Sequence, residues 1–575
     1  MAAQLGKWTI MLDGTSLPER SYIGGKAWSI ARMRALGLPV PPAFVVTTDA
    51  CRAFLEDSEL PAGLTDELAH GMAALEVATG RKFGATTQPL LVAVRSGSAI
   101  SMPGMMDTVL NLGITKAVQT ALGEESSDVL FAAATHRRFR EMYARIVLRA
   151  PPGADGQAIP DAEDIPSDPH DQLAAAVRAV FESWNSRRAK RYRGHHDIPD
   201  DMGTAVTIQA MVFGNLGARS GTGVLFSRNP LSGAPTPFGE YLATAQGEDL
   251  VSGSVTPLPL DALHTDMPEI HERLIAAAKL LEAENGDVQD IEFTVQQGEL
   301  FLLQSRAAKR APEAALRIAV DMAHDETITR DEALRRVNAE QVRALLCPKL
   351  RPGAADDAEL LARGEAACQG VGAGLVVLDA DTAEAEAAKG RDVILVRPTT
   401  SPEDVHGMLV ARAVVTASGG ATSHAAVVSR QLGLPCVVGC GDAILQSLAG
   451  SQVTVDGGSG SIFQGILAVD TPDERDDPRL IEFGAWAVDA SPLTVFRSGE
   501  QPAGDILDLD HAPGGELVEN LPELFKNTKA ASGRALLSDA GVAAAVQAGL
   551  EFIVLPQTVP ALLAACAAAR ENERM

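Results

Sequence analysis

"AVVTASGGATSHAAVVSRQLGLPCVVG", residues 413–439, changes secondary structure twice. Its first four residues read as a buried strand, Gly419 and Gly420 break that strand, and Thr422 or Ser423 can cap a helix that Gly433 and Pro435 stop. "PCVVG" then returns to strand. Strand, helix and strand in that order predict an α/β layer. They also place His424 in the first helical turn, where free amides and the helix dipole favour negative charge. Two readings of His424 stand side by side. One is an ordinary cap-region histidine of depressed basicity; the other is an imidazole that carries a phosphoryl group. Metal binding is less attractive, because no second histidine or cysteine pair lies at ligand spacing.

Outward from this stretch, the 575 residues exceed what one hydrophobic core supports, roughly 250–300 residues. With 46% hydrophobic and 22% charged residues the chain should fold as several globular domains. Its formal net charge of −26 repels nucleic-acid phosphates and anionic membranes, so no nucleic acid and no membrane partner is expected. Any anionic ligand must be held by local basic groups. Six cysteines are scattered without a disulfide or zinc framework, which reads as a reduced cytoplasmic protein. No leader and no run of the roughly 18 apolar residues that span a bilayer is evident.

Six segments are expected. Residues 1–115 form a mixed N-terminal subdomain with "GGKAWSIARMRALG" as a glycine-opened helix and "LLVAVRS" as a strand. Residues 116–200 are mostly helical, interrupted by a proline- and acid-rich loop. Residues 201–310 return to strands, ending in "DIEFTV" and "LFLLQS", a hairpin around Gln297 and Gly298. Residues 311–350 are a helical linker, with helices near 312–325 and 330–346, closing on a hinge-like "CPKLRPGAADD". Residues 351–466 make a compact α/β domain, and 467–575 a short α/β tail opened by the charged linker "DTPDERDDPRL".

Several stretches could meet an anion. In "GGKAWS" two glycines admit a close backbone and Lys26 supplies a charge, although most such strings are plain turns. Arg95 ends an apolar strand before a small-residue loop containing Gly104, and it could clamp phosphate or simply pair with a carboxylate. In the hairpin, Asp290, Glu292 and Thr294 share one face and Gln304 and Arg306 share a face on the return strand. Magnesium favours such hard oxygens, but the pattern alone favours a solvated face with one cross-strand ion pair. "IQAMVFG" could offer backbone groups to a purine from an edge strand.

Taken together, "GGATSHAAVVSRQLGLPCVVG", "VRSGSAISMPGMMDTVLNLG", "MVFGNLGARSGTGVLFSRNP", "FGEYLATAQGEDLVSG" and "QDIEF" resemble the phosphoenolpyruvate-utilising enzymes, in the manner of the pyruvate phosphate dikinases, over about residues 5–466. Ser418 and Ala421 stand where that family commonly has a basic residue and a methionine. The resemblance implies an ATP-grasp-like nucleotide-binding region followed by a swivelling phosphohistidine domain. It implies that Lys26, Arg95, Gly104 and Arg306 bind ATP, that Gln209 and Met211 lie near adenine, and that Glu292 and Gln304 serve Mg2+. His424 would be the covalent carrier and Thr422 a regulatory phosphosite. ATP, inorganic phosphate and pyruvate or phosphoenolpyruvate would be the small-molecule partners. A (β/α)8 barrel needs about 250 residues, so the tail is too short to be one. The pyruvate-binding module would be missing, truncated or supplied by a separate barrel-containing chain, a different acceptor would replace pyruvate, or the chain would be a silent ATP-binding subunit; a homodimer is the other partner to expect.

Overall fold

The computed structural model describes residues 5–100, 102, 106–150, 164–195, 198–251, 257–420, 423–515 and 517–574. They form two compact units, one comprising residues to Pro230 with Pro235–Lys309, the other Leu231–Ala234 with Arg310–Met575.

In the first unit, β1 (Thr9–Met11), α1 (Arg20–Ala35), β2 (Ala43–Val46), β3 (Val92–Gly97) and β4 (Thr108–Leu112) precede a helical region ending in α2 (Arg187–His195). The next strand, β5 (Ala205–Ala210), inserts between β2 and β3, so an antiparallel sheet runs β1-β2-β5-β3-β4. The expected division at residue 200 therefore separates a strand from the sheet it completes. The helical region is not separate from that sheet either. Phe131, Phe139, Val177 and Phe181 share a core with Val92, Val94, Val206 and Ile208, because only the sheet can bury their apolar faces.

A second antiparallel sheet contains β6 (Gly221–Phe226), β7 (Phe238–Ala243), β8 (Leu258–Pro259), β9 (Gln289–Gln296) and β10 (Glu299–Ala307), in the order β8-β7-β6-β9-β10. The expected β9–β10 hairpin turns at Gln297 (φ 50°) and Gly298 (φ 82°), the paired positive dihedrals of a type I′ turn. Helix α1 joins the two sheets. Ile23, Ala27 and Ile30 pack in one core with Val45 and Ala205 of the first sheet and Leu225, Ile291, Phe293, Leu300 and Leu302 of the second.

The second unit opens with α3 (Pro312–His324), α4 (Arg330–Arg336) and α5 (Ala339–Leu346). The helix expected over 330–346 is two helices. Asn338 accepts a hydrogen bond from the Gln341 amide while the Gln341 side chain accepts one from Asn338, a capping box that starts a new helix. Next come β11 (Lys349–Leu350) and an eight-stranded sheet whose centre is four parallel strands: β12 (Val371–Val377), β13 (Val393–Arg397), β14 (Ala413–Thr416) and β15 (Cys436–Val438). Helix α6 (His424–Leu432) connects β14 to β15, the βαβ order read from the sequence. The chain leaves this sheet through β16 (Val469–Asp470), which pairs antiparallel with β11.

The tail adds a parallel sheet of β17 (Thr494–Arg497), β18 (Leu507–Asp508), β19 (Ala530–Ser532) and β20 (Phe552–Leu555), ordered β17-β20-β19-β18, and a last helix, α7 (Val559–Arg574). Its core is shared with the helices expected as a linker: Leu316, Val320, Leu334 and Val342 pack with Phe483, Ile553 and Leu562. The charged stretch before it is not a plain linker. Glu474, 7% exposed, accepts hydrogen bonds from the Thr558 and Val559 amides and caps α7. No helix among the described residues is long and apolar enough to cross a membrane.

Gly24 interrupts α1 with φ 76°, and a β-carbon there would lie 2.0 Å from the Gly97 carbonyl oxygen. Gly37 has φ 72° but open space around it. Gly24→Ala should therefore lose about 3 kcal/mol or more in urea unfolding, through strain plus overlap, whereas Gly37→Ala should lose only about 1 kcal/mol. Equal losses would mean that the close approach at Gly97 contributes nothing.

Candidate active site

The Gly24 kink and the Gly25 amide, which donates to the Ser98 carbonyl at 2.9 Å, seat the start of α1 on the end of β3. Lys26 is thereby placed in the first turn after the kink, where a β-carbon added to Gly97 would lie 3.3 Å from the Lys26 β-carbon. A side chain on Gly97 would intrude on it.

Two more elements of the first sheet reach the same place. Arg95 on β3 and Gln209 on β5 lie on one face, and the Arg95 Nη1 donates to Gln209 Oε1 at 3.3 Å. From the second sheet, Glu292 on β9 accepts from Arg95 Nη2 at 3.2 Å. The neighbouring pair is Asp290 with Arg306, whose Nε donates to Asp290 Oδ2 at 2.8 Å. Glu292 and Gln304 are register partners, as are Asp290 and Arg306.

This register depends on an irregularity that the sequence pattern did not reveal. The pairing shifts between Glu292 and Phe293, so that Phe293 faces Leu302 while Glu292 faces Gln304, and Leu303 is the extra residue. Under strict alternation, Leu300, Leu302, Gln304 and Arg306 would all point into the core. The bulge turns the last two onto the face of Asp290 and Glu292.

The charges here are two carboxylates, two guanidiniums and one amine. The arginines are matched by Asp290 and Glu292, leaving Lys26 as the surplus cation. Burial, together with Arg95, brings the Lys26 amine down to about 7, against a smaller opposing pull from Glu292. Burial also raises Asp290 above the usual carboxylate range, with the Arg306 guanidinium acting the other way.

Lys26, Arg95, Gln209, Glu292, Gln304 and Arg306 are thus brought together. Asp290, read in the sequence only as an oxygen on the shared face, joins them through Arg306. Met211 does not: its side chain packs on the first sheet's core and its amide donates to the Leu91 carbonyl at 2.9 Å. The strand before it is also not an edge, since both sides of β5 are paired, so residues 205–210 have no free ladder groups for a purine. Gly104 and Thr422 lie outside the described residues.

In the second unit, His424 is the first residue of α6, and Ser423 Oγ accepts from the Ala426 amide at 3.4 Å. Gly419 turns the preceding chain at φ 117°. The side chain of His424 is partly exposed, but its Nε2 is buried and has no hydrogen-bond partner among the described residues. Nothing therefore commits that nitrogen's lone pair or proton elsewhere.

Comparison with known proteins identifies two family domains along the chain. Residues 20–79 and 60–264 match the model of the pyruvate phosphate dikinase AMP/ATP-binding domain, and residues 389–460 match the mobile domain of the PEP-utilising enzymes. The chain is 37% identical over 545 residues to a pyruvate, phosphate dikinase of Clostridium symbiosum, covering 87% of this chain and 62% of that protein. It is 39% identical over 553 residues to one of Rhizobium meliloti (85% and 60%) and 39% over 531 residues to pyruvate, phosphate dikinase 2 of Oryza sativa subsp. japonica (84% and 59%). The chain spans about three fifths of the length of these relatives. It is a pyruvate phosphate dikinase-like protein, carrying that family's AMP/ATP-binding domain and the mobile domain of the PEP-utilising enzymes.

Proposed function

We propose that this chain is an ATP-dependent phosphotransferase in which phosphoryl passes from ATP to His424 and from there to an acceptor. The observation that carries the reading is the convergence of Lys26, Arg95 and Arg306 from α1 and two different sheets, in a chain of net charge −26. In this reading the two arginines and Lys26 hold the ATP phosphates and stabilise charge on the transferring group. A neutral His424 nitrogen attacks phosphorus in line as the bond to the leaving phosphate oxygen breaks.

The Glu292 and Gln304 pair suits magnesium. It offers one partly exposed carboxylate and one amide oxygen from adjacent strands, and Mg2+ typically takes one or two protein oxygens with phosphates and water completing its shell. Bound there with ATP, the ion would neutralise phosphate charge. Glu292 would exchange its Arg95 contact for the metal, releasing the guanidinium to phosphate.

Pyruvate is the acceptor that the similarity to pyruvate, phosphate dikinases favours, and a different small-molecule acceptor is the alternative reading.

Incubation with phosphorus-labelled ATP and Mg2+ should give an acid-labile label that His424→Ala abolishes; a label retained by that variant would end the proposal. A second outcome concerns protons. With Lys26 near 7 in the free protein, ATP should pull the amine back toward its ordinary value of about 10.4. Binding at pH 8 should therefore take up close to one proton, and binding at pH 6 almost none. Titration calorimetry in buffers of different ionisation enthalpy measures this. Lys26→Met should remove the pH 8 uptake, and equal uptake in that variant would exclude Lys26 from the phosphate site.

A further inference from the structure

Helix α2 carries the sequence "RRAKRYRGH", which holds five lysines and arginines within residues 187–193 and no acidic residue. Two of these cations are structural. Arg193 is fully buried, donates to the Trp184 carbonyl at 2.6 Å and to Asp200 at 2.7 Å, and lies 4.2 Å from the Trp184 ring centre. Arg188 pairs with Asp107. Arg187, Lys190 and Arg191 are different: they are exposed, and none has an ion-pair partner among the described residues.

Their spacing is i, i+3 and i+4, which stacks them on one side of the helix, where like charges repel. The first turn contains no acidic residue to offset the dipole, so Arg187 and Arg188 sit at the helix end least suited to cations. Arg193 and Trp184 hold this helix rigidly, so the repulsion is not relieved by bending away. Arg187, Arg188, Arg191 and Tyr192 line a cavity of about 530 Å³. With Arg188 held by Asp107, Arg187 and Arg191 are the cations of this cavity without an ion-pair partner among the described residues, an arrangement on a strongly acidic protein that a small polyanion would neutralise.

We infer that this face of α2 is a binding site for a small polyphosphate-bearing anion, separate from the cluster around Lys26. A triphosphate would meet Arg187 and Arg191 in the cavity, with Lys190 beside it on the same side of the helix, and its oxygens suit the planar fork of each guanidinium. A carboxylate-bearing protein surface fits less well, because a stable protein interface covers roughly 800 Å² per partner, and the lining here is one concave helix face. The inference does not depend on the reaction assigned to His424.

The test is calorimetric titration of the full chain with inorganic tripolyphosphate at low salt. Arg187→Gln with Arg191→Gln should show one fewer binding site than the wild type, or that site weakened roughly tenfold or more. The wild-type site should also weaken as salt is raised. Repeating the titration with ATP distinguishes sources: tighter binding of ATP than of tripolyphosphate at this site assigns a nucleotide, and equal affinity assigns the polyphosphate group alone. Melting provides the control for folding, since removing two repelling charges should leave Tm unchanged or raise it. Unchanged tripolyphosphate binding in the double variant overturns the inference. So does a site that binds a polyglutamate peptide and not tripolyphosphate, or a double variant whose lowered Tm marks both arginines as structural.

Discussion

One extra residue on β10 determines which way Gln304 and Arg306 face, and the candidate active site depends on it. Without the register shift at Leu303, the amide and the guanidinium would be driven into the apolar layer filled by Ile291, Phe293, Leu300 and Leu302. Burying an unpaired guanidinium there would cost several kcal/mol. With the shift, the same strand supplies core residues near the turn and polar residues at its far end. The type I′ turn at Gln297 and Gly298 sets the register from one end, and the bulge resets it for the half of the hairpin that faces Arg95.

Electrostatics then follow from which groups this geometry gathers. Asp290 and Glu292 compensate Arg306 and Arg95, so the cluster can exist in a folded protein before any ligand arrives. Lys26 has no carboxylate of its own, and burial leaves its amine close to neutral. The site is thus nearly balanced when empty and, in the proposed reading, would become cationic as an anion drew a proton onto Lys26. A chain with an overall charge of −26 would otherwise repel a nucleotide at a distance. Local pairing and one adjustable amine overcome that field only at short range.

The sequence was most legible where local chemistry alone decides structure. Gly419, Ser423, Gly433 and Pro435 delimit a helix by dihedral and capping preferences, and α6 begins and ends as they require. Lys26, Arg95 and Arg306 could each be picked out as a phosphate ligand or a plain ion pair, but their meeting depends on contacts across nearly 280 residues. Strand β5 reads as an edge because nothing in "TAVTIQA" records that β2 and β3 will flank it. The bulge is invisible for a similar reason: Leu303 is as good a strand residue as its neighbours. The helices at 312–346 looked like a linker because their partners, the tail residues around Phe483 and Ile553, come more than 130 residues later.

That late partnership changes what the hinge-like stretch near residue 350 means. Helices α3 to α5 and the tail share one core, so the eight-stranded domain between them is an insertion whose entry and exit both begin on the same body. The two connections run together as β11 and β16, with Lys349 opposite Asp470 and Leu350 opposite Val469, and Arg351 pairs with Asp470 beside them. Two short strands held by few backbone hydrogen bonds can twist or bend with little loss of buried surface, while the inserted sheet, with its own cores on both faces, moves as a rigid object. The ribbon is not the insertion's only tie to that body, since Arg534 of the tail donates to the Leu409 carbonyl at 2.7 Å, and bending of the ribbon would have to break this contact. The capping of α6 by Ser423 and the Nε2 of His424 lie within the insertion itself, so they do not depend on the ribbon's shape.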